Sequence, residues 1–195
     1  METNIFMVRH AESLYVNGKE KQRGLSSFGL QEANKVSLIL KDIEIDAIYS
    51  SDYNRSLETV KPLSDLKKTK IIELTDLRER RMKPEHIELT YNDFIEAVKK
   101  SYENFDFSIS GGESIRDVHE RAIPVIEMII KNHKGKNIVI GTHGNLMTMI
   151  MKYYDDSYGY SFWEKTSMPD IYVLTFNENK LIRINRKWNE SAQNT

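Results

Sequence analysis

The sequence predicts an α/β fold, a three-layer α/β/α sandwich with a mostly parallel central sheet and a small helical insertion. Three observations carry this. Short apolar runs alternate along the chain with segments of helical periodicity. One polar stretch, 80–110, is too long for a plain connection and reads as an insertion. No internal repeat, low-complexity linker or domain boundary divides the 195 residues, enough for one well-filled core. The expectation is a single domain over 1–195, with a helical insertion or lid at about 80–112.

In chain order, residues 5–8 form a short buried strand. Residues 26–43, "SSFGLQEANKVSLILKDI", set Leu30, Ala33, Val36, Leu38, Ile39 and Leu40 at spacings that suit an amphipathic helix. "DAIYSS" (46–51) is a second strand closed by two serines. "DYNRSLETVKPLSDL" (52–66) is a helix that Pro62 should bend or shorten. "KIIELTDLRE" (70–79) is a third strand with its continuation. Within the insertion, "NDFIEAVKKSYENF" (92–105) is a weakly amphipathic helix, and "SGGES" (110–114) closes the stretch. A long helix follows over 114–133, with Ser114 placed to cap it. "NIVIGTH" (137–143) is the strongest strand and "GNLMTMIMKYY" (144–154) the next helix. Residues 170–188 form a hairpin turning at 177–179.

Composition bounds the function. Hydrophobic residues make up 39% and charged residues 29%, an ordinary soluble balance. A formal net charge of -1 steers the chain toward neither nucleic acid nor a membrane. There is no cysteine, which excludes disulfides, thiolate nucleophiles and cysteine-based metal sites. "METNIFMVRH" lacks the pattern of a secretory signal, and "AIPVIEMII" is broken by charge and too short to span a bilayer. The expected setting is cytoplasmic, without membrane or nucleic-acid partners; no feature sets an oligomeric state.

Ligands of open α/β sheets bind beyond the carboxyl ends of the strands, so the residues just past each strand carry most weight. Arg9 and His10 follow the first strand; Ser50 and Ser51 end the second, with Arg55 one turn into the next helix. Glu79 follows the third and His143 the strong one. Singly these say little. An Arg–His pair is a weak motif, and Glu79 sits among Arg78, Arg80 and Arg81, where a surface ion-pair cluster is the default. Together they bring two histidines, two arginines and one carboxylate to one rim. Neither H-x-H nor H-E-x-x-H occurs, so no metal or cofactor is expected. The set suits phosphate. Arginine's planar fork matches phosphate oxygens, and the turn at His143, Gly144 and Asn145 can aim backbone N–H groups and a helix N-terminus at an anion.

Several segments in order carry a family likeness. "RHAES" (9–13) resembles the R-H-G/A-E-S signature of the histidine phosphatase superfamily, which includes cofactor-dependent phosphoglycerate mutases. "LSSFGLQEA" (25–33) resembles its L-T/S-x-x-G-x-x-x-A segment, and "IYSSDYNRSLET" (48–59) its S-S-P-L-x-R-A-x-x-T block. "LRE" (77–79) resembles its L-x-E, "GGES" a recurrent turn, and "IGTHGN" (140–145) its second-histidine motif. The resemblance implies that His10 is a nucleophile accepting a phosphoryl group, that Arg9, Arg55 and His143 surround the phosphate, and that Glu79 protonates the leaving oxygen. Gly144 and Asn17 are further candidate phosphate contacts. The chemistry is consistent: a neutral imidazole suits attack on an anionic phosphate, and cationic groups offset charge in transfer.

The chain also departs from the pattern. Tyr15 stands where tryptophan is usual, Asn17 is displaced by one, and Gln22 replaces an aspartate. Asp52 and Ser56 replace a proline and an alanine. After Glu79, "RRMKPEHIEL" matches neither the mutase nor the phosphatase pattern, so substrate choice does not carry over. His119 and His133 read as structural or solvated, His86 as a solvent-facing loop residue, and the methionines of 144–154 as core filling. Arg80, Arg81 and Lys83 suit either a second anionic group or plain surface charge.

The leading expectation is a phosphomonoesterase acting on a small phosphorylated substrate through a phosphohistidine. A 2,3-bisphosphoglycerate-dependent mutase is the alternative. It must exclude water, for which the modest insertion and the short "NESAQNT" tail are poorly suited. A non-catalytic phosphate-binding relative would normally lose the nucleophile, an arginine or the acid, and all are present.

Overall fold

A computed structural model describes residues 1–84 and 87–189. Its strands are β1 (Glu2–Arg9), β2 (Ala47–Ser50), β3 (Ile71–Glu73), β4 (Asn137–Thr142), β5 (Asp170–Asn177) and β6 (Lys180–Arg186). They form one sheet in the order β3-β2-β4-β1-β5-β6. β1, β4, β2 and β3 run parallel; β5 is antiparallel to β1, and β6 to β5. The sheet is thus mostly parallel, and the expected hairpin extends it.

The helices are α1 (Ser27–Ile39), α2 (Asn54–Lys67), α3 (Tyr91–Glu103), α4 (Ile115–Asn132), α5 (Gly144–Tyr154) and α6 (Tyr160–Trp163). Alternation along the strands splits the core into two layers. Ile5, Met7, Ile138 and Ile140 share one cluster with Ile126 and Ile129 of α4 and Met147 of α5. Phe6, Val8 and Val139 share the other with Val36 of α1 and Val60 and Leu63 of α2. A strand covered on both faces must be apolar at successive positions, which is why 5–8 and 138–140 read as unbroken apolar runs.

Ser114 caps α4 as expected. Its hydroxyl accepts from the Asp117 N–H at 3.1 Å, and the Asp117 carboxylate accepts from the Ser114 N–H at 2.7 Å. Pro62 does not shorten α2, which continues to Lys67. Val60 and Leu63 on either side are fully buried, and that packing outweighs one lost N–H bond. The third strand is shorter than expected. It ends at Glu73 and passes into a single 3-10 turn, Thr75–Leu77, whose Leu77 plugs into the core. α6 was not anticipated, because four residues are too few to show a helical period. Among the described residues, no helix is long and apolar enough to cross a membrane.

Candidate active site

β1 and β4 end side by side, with Arg9 opposite Thr142, so register alone brings His10 to His143. The His10 N–H donates to the Thr142 carbonyl at 3.0 Å, and the two ring centroids lie 5.3 Å apart. His10 Nδ1 is 2.8 Å from the Ala11 carbonyl oxygen. A carbonyl only accepts, so Nδ1 carries the hydrogen and Nε2 keeps its lone pair. Burial, then the Arg55 charge, push the His10 pKa well below the usual histidine range; the bond to Ala11 opposes them. The ring is neutral and its tautomer suits attack through Nε2.

His143 is fully buried, with Nε2 2.7 Å from the Ser51 hydroxyl. That hydroxyl oxygen also accepts from the Tyr53 N–H at 3.3 Å. The other ring nitrogen, Nδ1, is buried and has no hydrogen-bond partner. Burial, followed by the Arg55 charge, lowers this pKa as well.

Arg9 donates from Nη1 to the Thr166 carbonyl at 2.9 Å and to the Thr166 hydroxyl, while its buried Nε has no partner. Gly144 makes room for it: a Cβ there would lie 2.9 Å from the Arg9 guanidinium carbon. Arg55 is only 1% exposed. It donates from Nη1 to the Glu20 carbonyl at 2.6 Å, sets Nη2 3.2 Å from the Glu20 carboxylate, and leaves Nε unpartnered. Burial pushes its pKa down to about 10, so it remains a cation at neutral pH. A third arginine was missed. Arg23 donates to the Ser13 carbonyl at 3.2 Å and hydroxyl at 3.0 Å, and shares the Glu20 carboxylate at 3.3 Å. Its only sequence signal was a basic residue between two motif segments.

The expected surface ion-pair cluster around Glu79 does not form. Arg78 pairs with Asp52, Arg80 donates to Ser101 Oγ at 2.6 Å, and Arg81 donates to the Gly111 carbonyl at 3.0 Å. Glu79 instead accepts three backbone N–H groups: Arg80 at 2.9 Å, Leu146 at 2.9 Å and Asn145 at 3.1 Å. The N-terminus of α5, expected to face phosphate, is occupied by this carboxylate, which suits its positive end equally well.

Three further expectations are revised or set aside. His143 does not line the cavity in front of His10 but lies buried behind it. Asn17 does line the cavity, yet its amide donates at 3.0 Å to Glu88, across to the 80–112 stretch. His86 lies outside the described residues. His119 and His133 are structural, 2.8 Å from the Met149 carbonyl and 2.9 Å from the Tyr49 hydroxyl. The methionines at 147, 149 and 151 are fully buried core.

The recurrence of "RHAES" with "LSSFG" also has a physical account. The Ser26 hydroxyl donates to the Glu12 carboxylate at 2.6 Å and accepts from the Gly29 N–H at 2.9 Å, capping α1. The Glu12 carbonyl accepts from the Ser26 N–H at 3.0 Å, and a Cβ at Gly29 would stand 2.1 Å from that oxygen. The glutamate, serine and glycine form one joint that fixes the loop carrying His10.

The cavity measures about 540 Å³, and Arg9, His10, Arg23, Arg55, Glu79 and Asn145 are among its lining. Among the described residues, no three histidine, aspartate or glutamate side chains gather as a metal site would need.

Residues 5–189 match the profile described as histidine phosphatase superfamily (branch 1). Phosphoglycerate mutase-like protein 4 of Arabidopsis thaliana is 31% identical over 156 residues, covering 73% of this chain and 67% of that protein. A metal-independent phosphoserine phosphatase of the same plant is 30% identical, over 76% of this chain and 67% of its own length. A 2,3-bisphosphoglycerate-dependent phosphoglycerate mutase of Methanosarcina mazei is 26% identical, over 94% of each. Among solved structures, a mycobacterial glucosyl-3-phosphoglycerate phosphatase superposes with a TM-score of 0.75 at 20% identity, over 95% of this chain and 97% of that one. That last likeness speaks for the fold.

Proposed function

This chain belongs to the histidine phosphatase superfamily, and on that premise we propose that it is a phosphomonoesterase working through a phosphohistidine on His10. One observation carries the reading. Arg9 Nε and Arg55 Nε, both on cavity-lining residues, are buried near a neutral His10 with no acceptor. Buried donors are nearly always paired, so two cationic ones together support an oxyanion as their missing partner.

In the first half-reaction, His10 Nε2 attacks phosphorus, the bond from phosphorus to the alcohol oxygen breaks, and that oxygen takes a proton from Glu79. In the second, a water gives a proton to Glu79 while its oxygen attacks phosphorus and the P–N bond breaks. Inorganic phosphate leaves, and both groups are restored. The arginines offset the charge that spreads over the phosphoryl oxygens in each step. The test is to quench turnover in base and weigh the protein. One added phosphoryl group on the peptide holding His10 is expected; steady turnover with none there would overturn the reading.

Arg23 belongs to the same charge field. Arg23→Ala is expected to lower kcat/KM about 10- to 100-fold on every monoester, with Arg23→Lys recovering part of the loss. Weaker inhibition by inorganic phosphate, measured alongside, separates lost anion binding from misfolding.

A second reading, a bisphosphoglycerate-dependent mutase, is favoured by the Methanosarcina match along nearly all of both chains. Interconversion of 3- and 2-phosphoglycerate faster than phosphate release would select it.

A further inference from the structure

We infer that the alcohol half of the substrate is a large apolar or aromatic group without a positive charge, an inference that rests on the phosphatase reading. The cavity, about 540 Å³, falls in the range of about 300–1,000 Å³ that drug-sized ligands fill. A phosphate bound by the arginines uses only part of it. Tyr15, Leu89, Tyr91, Phe94, Trp163 and Met168 supply an apolar wall from separate stretches of the chain. Tyr15, Tyr91 and Met168 are 62%, 76% and 47% exposed. Phe94 and Trp163 stand 6.1 Å apart between ring centroids, joining α3 to α6 across the wall. Large apolar side chains left open on a cavity wall favour a ligand that takes them out of water.

The charges point the same way. Among the described residues that line the cavity, Glu20 and Glu79 are the only carboxylates. Glu20 is engaged by Arg55 and Arg23, and Glu79 by three backbone N–H groups. Among these described residues an ammonium on the substrate would meet no uncommitted carboxylate, and it would share the cavity with Arg81 and Lys83.

Ethyl phosphate and 2-phenylethyl phosphate release similar alkoxides, so the ratio of their kcat/KM values isolates the wall from bond chemistry. Phosphoethanolamine, whose ammonium makes the alcohol a better leaving group, should react faster on bond chemistry alone, so a lower value reads rejection of the charge. The phenylethyl ester is expected to exceed the ethyl ester by about tenfold or more, and phosphoethanolamine to fall below it by about fivefold. Trp163→Ala and Phe94→Ala should each cut the phenylethyl-to-ethyl ratio by about threefold or more; either suffices if the other fails to fold. A wild-type ratio near one, or a ratio that neither variant moves, overturns the inference. Calorimetric binding of 2-phenylethylphosphonate against ethylphosphonate reads the same preference without turnover. A phosphonate preference with no ester hydrolysed keeps the inference and sinks the phosphatase reading. His10-dependent hydrolysis with no preference does the reverse.

Discussion

His10→Ala is expected to cut phosphate release by about 10,000-fold or more, the scale on which loss of a covalent nucleophile acts. In the proposed mechanism the imidazole supplies the attacking nitrogen itself, and among the described residues lining the cavity no other histidine stands ready to replace it. His143, the nearest ring, is buried behind it with Nε2 engaged by Ser51. The anion site should survive, because Arg9, Arg23 and Arg55 are held by Thr166, Ser13 and Glu20 and not by His10. Binding of inorganic phosphate should therefore change less than tenfold, and thermal melting should show a folded protein. Turnover within tenfold of wild type would mean that the phosphoryl group does not pass through His10.

Glu79→Ala is expected to separate substrates by leaving group. An alkyl phosphate, whose alkoxide leaves only with a proton, should lose about 1,000-fold, or about 4 kcal/mol of transition-state stabilisation. p-Nitrophenyl phosphate, which leaves with little protonation, should lose about tenfold. The substitution also uncaps the N-terminus of α5 by removing the acceptor of the Asn145 and Leu146 N–H groups, at a cost of about 1 kcal/mol in stability. A melt reads that cost, which is common to both substrates and cannot produce the difference between them. Equal losses on the two esters would remove Glu79 from the proton-transfer role.

Much of this was legible in the sequence, for a physical reason. Strands covered on both faces write themselves as apolar runs, and Arg9, His10 and His143 adjoin such runs in the chain. Arg55 and Glu79 were found because each follows a strand in the chain, Arg55 in the first turn of α2 and Glu79 just past the 3-10 turn after β3. What could not be read depends on contacts between distant segments. The place of Glu79 on the N-terminus of α5 spans 66 and 67 residues of chain. Arg23 enters the site through a loop whose path is set by Ser13 and Glu20. Asn17 turns toward Glu88 because the facing wall offers that acceptor. Local pattern carries none of this. Pro62 shows the converse: its local preference was clear, and burial of its neighbours overrode it.

The strand order has a consequence for how the molecule comes into being. β1 is made before the strands that flank it, and both of its hydrogen-bonding edges belong to strands made more than 125 residues later, β4 on one side and β5 on the other. Until those strands have been made, the segment bearing His10 is an unpaired, apolar ribbon, the kind of edge that invites sticking to other chains. The rim that carries His10 and His143 is thus completed only as the centre of the sheet closes.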